Sequence, residues 1–438
     1  MGQCSSSHPP VYTNEELFKV FNWLSEETKD ALTNTIEEVC DSTQNQWENR
    51  RAWWKAYRNV NGGDLRVFFQ QWLEYRPVPK LEDGAGGNLL PSRQNPIGIP
   101  DSPGYFIEKW DWLANTMAGR GLTGFDKEWR IWFIKFLDAH GAFIRSSASK
   151  KSVKYWLDYD GTPQHPFNID EYVVPKRGFK SFNLFFLRFV KAGERQVSTA
   201  DESNALSVVA PSDGGIFYLA EEADEKSGYE LPSKRGDKFE LEEAFPGYGQ
   251  HFIGGPLLDT LLWFTDFHHF FAPVSGKVVE MKEYPGSYNY DFEDFDPYHP
   301  GKPEPPADSD KVGWYKELAT HKRYVWIIET EEMGLVGMAA IGFFGVGSIV
   351  VEDKDKTTWP KGVIPVKKGD DVQKGQYLGH FGYGGSSIVL AFQPSVDGRA
   401  LTYDFSIPQK SGDDEQIRGP DQPIQANAMQ HIATARFS

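Results

Sequence analysis

The sequence predicts an α+β protein, in which a helical N-terminal domain precedes a mainly antiparallel β domain. Apolar residues recur at helical spacing between about residues 14 and 150, beginning with Leu17, Val20 and Phe21. From about residue 207 the pattern changes to short apolar runs separated by Gly, Pro and Asp, which is typical of strands joined by tight turns. The length of 438 residues is enough for two or three domains with a sizeable core.

The net charge and the cysteine count indicate which partners and which cellular compartment to expect. The formal net charge is −16, which argues against nucleic acid, because a nucleic-acid-binding face is basic. It also disfavours unaided binding to an anionic membrane surface. There are only two cysteines, Cys4 and Cys40, so a disulfide framework is not expected and a reducing compartment is favoured. With no secretory signal and no apolar run long enough to span a bilayer, we expect a cytoplasmic protein.

The first 13 residues are predicted to be flexible, and they carry a possible acylation site. Gly2 with Ser6 fits the pattern for N-myristoylation, and Cys4 is placed for palmitoylation. Two acyl chains would hold the protein stably at a membrane, whereas one anchors weakly. The alternative is an ordinary disordered tail with no membrane contact.

The remaining elements follow the same patterns along the chain. The helical domain, residues 14–150, is interrupted by a loop rich in Pro and Gly at 77–105. Residues 284–310 resemble a surface insertion, residues 361–375 a strand–turn–strand unit, and residues 412–438 a polar, loose tail. Helices are predicted near 47–57, 106–117 and 129–143, and strands near 208–210, 215–217, 276–279, 324–328 and 335–339.

A glycine–serine bond near the C-terminal end could carry chemistry of its own. In Gly384-Gly385-Ser386-Ser387 the Ser386 hydroxyl could attack the Gly385 carbonyl, because glycines permit the close approach that such attack needs. Elimination from the resulting ester would leave a pyruvoyl group, whose ketone can serve as an electron sink. The bland alternative is a glycine turn that enters a buried strand.

Two further stretches hold candidate catalytic side chains. Asp213 lies in a predicted tight turn between strands, where Asp-Gly is also an ordinary turn signal. His268 and His269 lie together in an aromatic strand. Histidine is the usual general acid–base near neutral pH, although a histidine on an apolar face is often only a core residue.

Taken in this order, the motifs resemble those of the phosphatidylserine decarboxylase family. The similarity covers about residues 182 to 392 and implies a catalytic domain of that type over 166–411. Parts of the helical region, at 113–117 and 144–147, resemble fungal relatives that include enzymes acting on free L-tryptophan. The family's motifs are matched by Phe182–Arg195, Ala210–Gly214, Asp266–Pro273, Gly337–Ile349 and Gly379–Ser387.

The resemblance implies a role for each candidate residue. The chain would cut itself between residues 385 and 386, and Ser386 would become the pyruvoyl cofactor of a decarboxylase. Asp213 would support the base that activates Ser386, and His268 would assist decarboxylation or protonate the product. The substrate amine would form a Schiff base with the pyruvoyl ketone, with no metal and no pyridoxal phosphate.

One departure from the family motif concerns that base. The second histidine of the motif, which serves self-cleavage, is Phe271 in this chain. Residues two apart on a strand share a face, so we expect His269 to lie beside Phe271 and to take over the role of base. The alternative is that Ser386 is never converted and the chain stays whole.

Three functions therefore remain open from the sequence. The favoured one is decarboxylation of a free, aromatic amino acid. The second is decarboxylation of phosphatidylserine to phosphatidylethanolamine, which an acylated N-terminus would help. The third is an unprocessed, non-enzymatic relative that binds a ligand in the same pocket.

Overall fold

The helices are short in the part of the chain that the structure, a computed structural model, describes. Their bounds, named α1 to α5 in order, are Asn14–Phe18, Val153–Tyr159, Phe182–Phe186, Thr199–Ser203 and Leu241–Ala244. The residues described are 14–22, scattered helical positions between 26 and 73, 136, 139–159, 168–223, 241–262, 266–284, 322–342, 349–352, 358–382, 386–406 and 424–437.

Antiparallel strands are the main regular structure of the described chain, which agrees with an α+β class dominated by sheet. In order they are β1 Ser207–Val209, β2 Gly214–Ala220, β3 Leu257–Leu262, β4 His269–Phe271, β5 Gly276–Tyr284, β6 Lys322–Thr330, β7 Gly334–Gly342, β8 Ile349–Val350, β9 Asp371–Val372, β10 Tyr377–Phe381, β11 Ser386–Phe392, β12 Ser395–Val396, β13 Arg399–Phe405, β14 Ile424–Ala426 and β15 His431–Phe437.

These strands form three sheets. The largest has eight strands in the order β14-β2-β3-β11-β7-β6-β5-β9. A three-stranded sheet has the order β4-β10-β8, and a four-stranded sheet has the order β1-β15-β13-β12. Strand β11 lies inside the largest sheet, because it pairs antiparallel with β3 on one side and with β7 on the other.

The alternation of side chains along β11 explains why both faces of the large sheet are buried. Ile388 and Leu390 point into one apolar core, which also contains residues of the two smaller sheets such as Phe270 and Leu401. Val389 and Ala391 point into a second core on the opposite face. All seven residues of β11 are buried, so this strand has the near-continuous apolar pattern of a central strand.

Two predictions about the C-terminal part are wrong. The expected loose tail contains β14 and β15, and β15 lies between β1 and β13 in the four-stranded sheet. Its residues Ile432, Ala433 and Ala435 are buried, so the polar composition of the tail hid a paired strand. The expected strand–turn–strand unit at 361–375 contains only the two-residue strand β9.

The helical domain predicted for residues 14–150 is described only in part. Residues 139–145 are helical, in agreement with the predicted helix at 129–143. The predicted helices at 47–57 and 106–117 lie outside the described residues, as do residues 1–13 and the predicted insertion beyond residue 284. The chain divides into two compact units, and the unit formed by 160–178, 183–295 and 313–438 holds the strands named above.

Candidate active site

The end of β3 brings three of the predicted motifs together. Ser386, the first residue of β11, is opposite Leu262 on β3, and Gly215 on β2 is opposite Leu261. Asp213 directly precedes β2, so it lies at the same end of the sheet as Ser386. The chain that leaves β3 leads to His268 and β4. Gly385, the other half of the predicted scissile bond, lies outside the described residues.

The Ser386 hydroxyl is buried without a hydrogen-bond partner. The residue has 0% exposure, and its Oγ makes no hydrogen bond to the described residues. Burying a hydroxyl in this way costs free energy, so native proteins rarely tolerate it unless the group has another task. The position therefore fits a nucleophile that waits for a neighbouring carbonyl.

Asp213 is held in place by an arginine rather than by a histidine. Both carboxylate oxygens accept from Arg195, with Nε–Oδ1 at 2.9 Å and Nη2–Oδ2 at 2.8 Å. The Ala428 backbone N–H donates to Oδ1 at 2.8 Å. Arg195 also donates to Glu171 at 2.9 Å, and the side chain of Asp213 is only 4% exposed. This is a buried bidentate pair, and it fixes the carboxylate rigidly.

The turn that carries Asp213 depends on the glycine after it. Gly214 has a φ of +150°, and a Cβ at this position would lie 2.7 Å from the Leu261 carbonyl oxygen. A side chain there would therefore collide with the backbone of β3. The Asp-Gly pair thus places the carboxylate close to the end of β3, as well as forming a turn.

His268 presents an unoccupied ring nitrogen inside the protein. Its Nδ1 lies 3.0 Å from the Asp266 carbonyl oxygen, so Nδ1 carries the proton in the neutral ring. Its Nε2 is then a bare acceptor, and it is buried without a hydrogen-bond partner. Burial, with a further contribution from the charge of Arg188, lowers the pKa of His268 to about 3, so the imidazole is neutral near pH 7.

His269 has both ring nitrogens engaged. Nε2 lies 3.3 Å from the Leu187 carbonyl oxygen, and Nδ1 lies 3.0 Å from the hydroxyl of Tyr377. The carbonyl requires a proton on Nε2, so Tyr377 donates to Nδ1 and in turn accepts from Nδ1 of His380 at 2.9 Å. Burial lowers the pKa of His269 well below its ordinary value, which keeps this chain of hydrogen bonds neutral.

Phe271, which replaces the second histidine of the family motif, is the last residue of β4, two positions after His269. The expectation that His269 and Phe271 share a face is confirmed, since both rings contact Tyr377, at 5.7 and 5.6 Å between centroids. The Phe271 N–H donates to the Pro211 carbonyl at 2.8 Å, two residues before Asp213. The backbone of Phe271 is therefore tied to the segment that leads into the Asp213 turn, while its apolar ring has no proton to exchange.

A second buried carboxyl group, that of Asp259, lies on the face of the large sheet that also carries Val389, opposite to the face of Ile388. The Ser387 hydroxyl donates to Oδ1 of Asp259, and both residues have 0% exposure. Oδ2 of Asp259 makes no hydrogen bond to the described residues. Burial raises the pKa of Asp259 to about 8, against the opposing effect of the Ser387 hydrogen bond, so the acid is mostly neutral near pH 7.

We expect the substitution Asp259→Asn to remove a pH dependence of folding stability. The folded chain keeps the proton on Asp259 up to about pH 8, whereas the unfolded chain releases it near pH 3.8. The stabilising contribution of this raised pKa is complete below about pH 4 and is lost as the pH rises towards about 8. Urea unfolding at several pH values measures it. A fall in stability of equal size in the Asn variant would mean that another group is responsible.

Sequence reasoning missed several of these residues. Arg195 was part of a matched segment without a role, and Asp259, Tyr377 and His380 were not singled out. Asp259 did carry a signal, because it is the only charged residue in the apolar stretch Leu257–Leu262. Its hydroxyl partner is 128 positions away in the chain, so the pairing itself could not be read from spacing.

The described residues form neither a metal-binding cluster nor a membrane-spanning helix. Within the described ranges, no three or more His, Cys, Asp or Glu side chains converge as they would around a metal ion. None of the helices described above is long and apolar enough to cross a membrane.

Known proteins match the part of the chain that contains this site. A family model described as phosphatidylserine decarboxylase matches residues 182–410. Phosphatidylserine decarboxylase proenzyme 3 of Schizosaccharomyces pombe is 29% identical over 262 residues, which cover 58% of this chain and 24% of that protein. Phosphatidylserine decarboxylase proenzyme 2 of Oryza sativa subsp. japonica is 28% identical over 277 residues, which cover 62% and 38%.

A fungal relative matches over a larger share of both chains. The protein named decarboxylase iboD, from Amanita muscaria, is 25% identical over 338 residues, which cover 71% of this chain and 87% of its own length. In contrast, the chain spans less than two fifths of the length of the Schizosaccharomyces and Oryza proteins. The three relatives thus differ in how much of their own length this chain covers.

Proposed function

Because the chain belongs to the phosphatidylserine decarboxylase family, we propose that it is a self-processing, pyruvoyl-dependent decarboxylase. The family consists of carboxy-lyases that make their own pyruvoyl group. The observation that carries the proposal for this chain is the Ser386 hydroxyl, which is fully buried and unpartnered at the head of β11. Asp213 and His268 lie in the segments next to it, so the residues present fit the formation of such a group.

Self-cleavage proceeds through bonds of the chain itself. The Ser386 Oγ bonds to the Gly385 carbonyl carbon, and the amide C–N bond breaks, which leaves an ester and a free amine on residue 386. Loss of the α-proton of residue 386 then breaks its Cβ–Oγ bond and releases the Gly385 carboxylate. Water replaces the nitrogen, which leaves as ammonia, and a pyruvoyl group remains on the N-terminus of the small chain. When present, this group supplies a ketone that takes up the electrons of the departing carboxylate.

The two neighbouring histidines differ in their availability as the base. The bare Nε2 of His268 is oriented as an acceptor by the Asp266 carbonyl. His269 would have to give up its bond to Leu187 or to Tyr377 before it could accept a proton elsewhere. We therefore propose His268, whose Nε2 is unengaged, as the acceptor of the Ser386 proton, in addition to its proposed part in decarboxylation; in the uncut chain the two groups are not hydrogen-bonded to each other. The role of base for His269, and of support for Asp213, stay predictions.

Matched glutamine variants separate the two histidines. We expect His268→Gln to slow self-cleavage by roughly 10²-fold or more, as loss of a general base does. His269→Gln keeps a polar side chain in the same place, and we expect it to slow cleavage much less. The measurement is the fraction of cut chain against time after synthesis of the full protein. If His269→Gln were the slower variant, the base would be His269, as its shared strand face with Phe271 predicts.

The substrate we propose is a free amino acid with an aromatic side chain. The fungal relative, which this chain matches over 87% of that protein's length, is named a decarboxylase without mention of a lipid, and this supports a substrate other than phosphatidylserine. The aromatic side chain stays a prediction from the resemblance of residues 113–117 and 144–147 to fungal relatives. Phosphatidylserine is the alternative substrate, because most of the matched relatives quoted above are named for it. An unprocessed chain that only binds a ligand is the second alternative, and Phe271 in place of the family histidine is the observation that favours it.

Intact-mass spectrometry of the purified protein under denaturing conditions tests the proposal. We expect two chains, of which the smaller begins at residue 386 and is lighter by one ammonia than a peptide that begins with serine. The cut protein is then incubated with free aromatic L-amino acids and, separately, with phosphatidylserine vesicles, and the amine product is identified. A single uncut chain would overturn the enzymatic reading and favour the binding protein.

The N-terminus adds a proposal about location. We propose a cytoplasmic protein that reaches membranes only through acylation of Gly2 and Cys4, residues that lie outside those the structure describes. Comparing membrane fractions of the natural chain and of Gly2→Ala tests this. Membrane association that is unchanged by the substitution would contradict it.

A further inference from the structure

Asp259 is a buried acid among apolar side chains. It lies on β3 opposite Tyr218 of β2 and Val389 of β11, and its face of the sheet is an apolar core. An apolar side chain of similar size would avoid the cost of burying a carboxyl group. The polar contact that it makes in return is the hydrogen bond from Ser387.

Ser387 is the second residue after the proposed cut, directly behind Ser386. Before cleavage, its position is secured by the peptide bonds on both sides and by pairing with Leu261 and Ile341 on the neighbouring strands. After cleavage, residue 386 becomes a chain terminus, and strand ends fray when they are not tied down. The bond to Asp259 is the first side-chain contact behind that terminus, and it comes from the other chain.

We propose that Asp259 is a positioning residue, which holds the Ser387 hydroxyl and thereby aligns Ser386 for cleavage and secures the new chain end afterwards. The inference rests on the proposed function. Ser386 and Ser387 point to opposite faces of the sheet, so Asp259 does not touch the reacting atoms. It acts on them through the backbone of β11, since a shift of Ser387 along or around the strand moves the Ser386 hydroxyl with it.

The substitutions that test this either break or keep the one hydrogen bond. Asp259→Leu and Ser387→Ala remove it, and we expect each to slow self-cleavage roughly tenfold, with the double variant no slower than either single variant. Asp259→Asn keeps an acceptor without a charge, and Ser387→Thr keeps the hydroxyl. Both conservative variants are expected to cut within about twofold of the natural rate, given the usual worth of such a bond.

A matched control separates positioning from loss of stability. Val389→Ala removes buried apolar volume from the same face, opposite Asp259, and leaves the hydrogen bond in place. We expect it to lower the unfolding midpoint while cleavage keeps its rate. In the cut proteins, amide hydrogen exchange of the peptide 386–392 should be faster in Asp259→Leu than in Asp259→Asn.

The outcomes that overturn the inference are distinct from those that overturn the function. Cleavage at the natural rate in Asp259→Leu, or cleavage as slow in Asp259→Asn as in Asp259→Leu, would show that the hydrogen bond does not position Ser386. An uncut natural chain would instead remove the proposed function, and this inference with it. Because cleavage of the full chain is the readout, the test needs no knowledge of the substrate.

Discussion

The substitution Ser386→Ala should leave a single uncut chain with no pyruvoyl group and no decarboxylase activity. The methyl side chain fits the buried position of Ser386 and removes only the oxygen that attacks the Gly385 carbonyl. Because Oγ accepts and donates no hydrogen bond within the described chain, its loss breaks no contact there. We therefore expect the variant to be at least as stable as the uncut natural chain.

Intact-mass spectrometry of the natural chain, Ser386→Ala and Ser387→Ala decides this prediction. Ser387→Ala serves as the control, because it removes the neighbouring hydroxyl and keeps the nucleophile, and it should still yield two chains, although roughly tenfold more slowly. Two chains from Ser386→Ala would place the cut, or the nucleophile, elsewhere. Loss of cleavage in Ser387→Ala alone would assign the attack to the second serine.

The second large effect is expected from Arg195→Met. This substitution leaves Asp213 buried with the Ala428 N–H as its remaining donor among the described residues, and an uncompensated buried carboxylate costs about 3–5 kcal/mol of unfolding free energy. Arg195→Lys keeps the charge but loses the fork of two parallel bonds, so an intermediate loss is expected. Urea unfolding in the Ser386→Ala background measures both, because every molecule is then uncut.

A double variant tests whether the loss comes from the isolated carboxylate. Removing both charges in Arg195→Met with Asp213→Leu should recover part of the stability lost in Arg195→Met alone, because the uncompensated charge is gone. A loss below about 1 kcal/mol in Arg195→Met would indicate an exposed, weakly coupled pair, contrary to the structure. With Ser386 restored, Arg195→Met should also slow self-cleavage, since the position of Asp213 is no longer fixed.

The sequence predicted the turns and strands around the candidate site better than it predicted which side chains form hydrogen bonds with each other. The turn at Asp213 and the strand after Ser386 were both expected, because glycine pairs and apolar runs are local signals. The partners of Asp213 and Ser387 were not, because Arg195 and Asp259 reach them from other strands and loops. Hydrogen bonds between distant segments depend on the register of the sheets, and no local pattern records that register.

The prediction for the C-terminal tail was wrong for a related reason. Strand β15 contains Thr434 and Arg436 among small residues, so its mean hydropathy gives little sign of burial. It is a strand because β1 and β13 supply partners on both sides. For the histidine pair, the local rule of strand alternation was correct, since His269 and Phe271 do share a face. The hydrogen bonds of His269 to Leu187 and Tyr377 could be seen only in the structure.

The position of β11 between β3 and β7 has a consequence for the fate of the small chain. Cleavage before residue 386 would produce two polypeptides whose strands alternate within the same sheets, since β11 and β14 would pair with strands of the large chain and β15 with β1. Separating them would require breaking all the backbone hydrogen bonds that β11 makes with β3 and β7. Dilution should therefore not dissociate the pair. Each fragment synthesised alone would lack its neighbours, so the cut protein is expected to refold poorly after denaturation even though it was assembled efficiently as one chain.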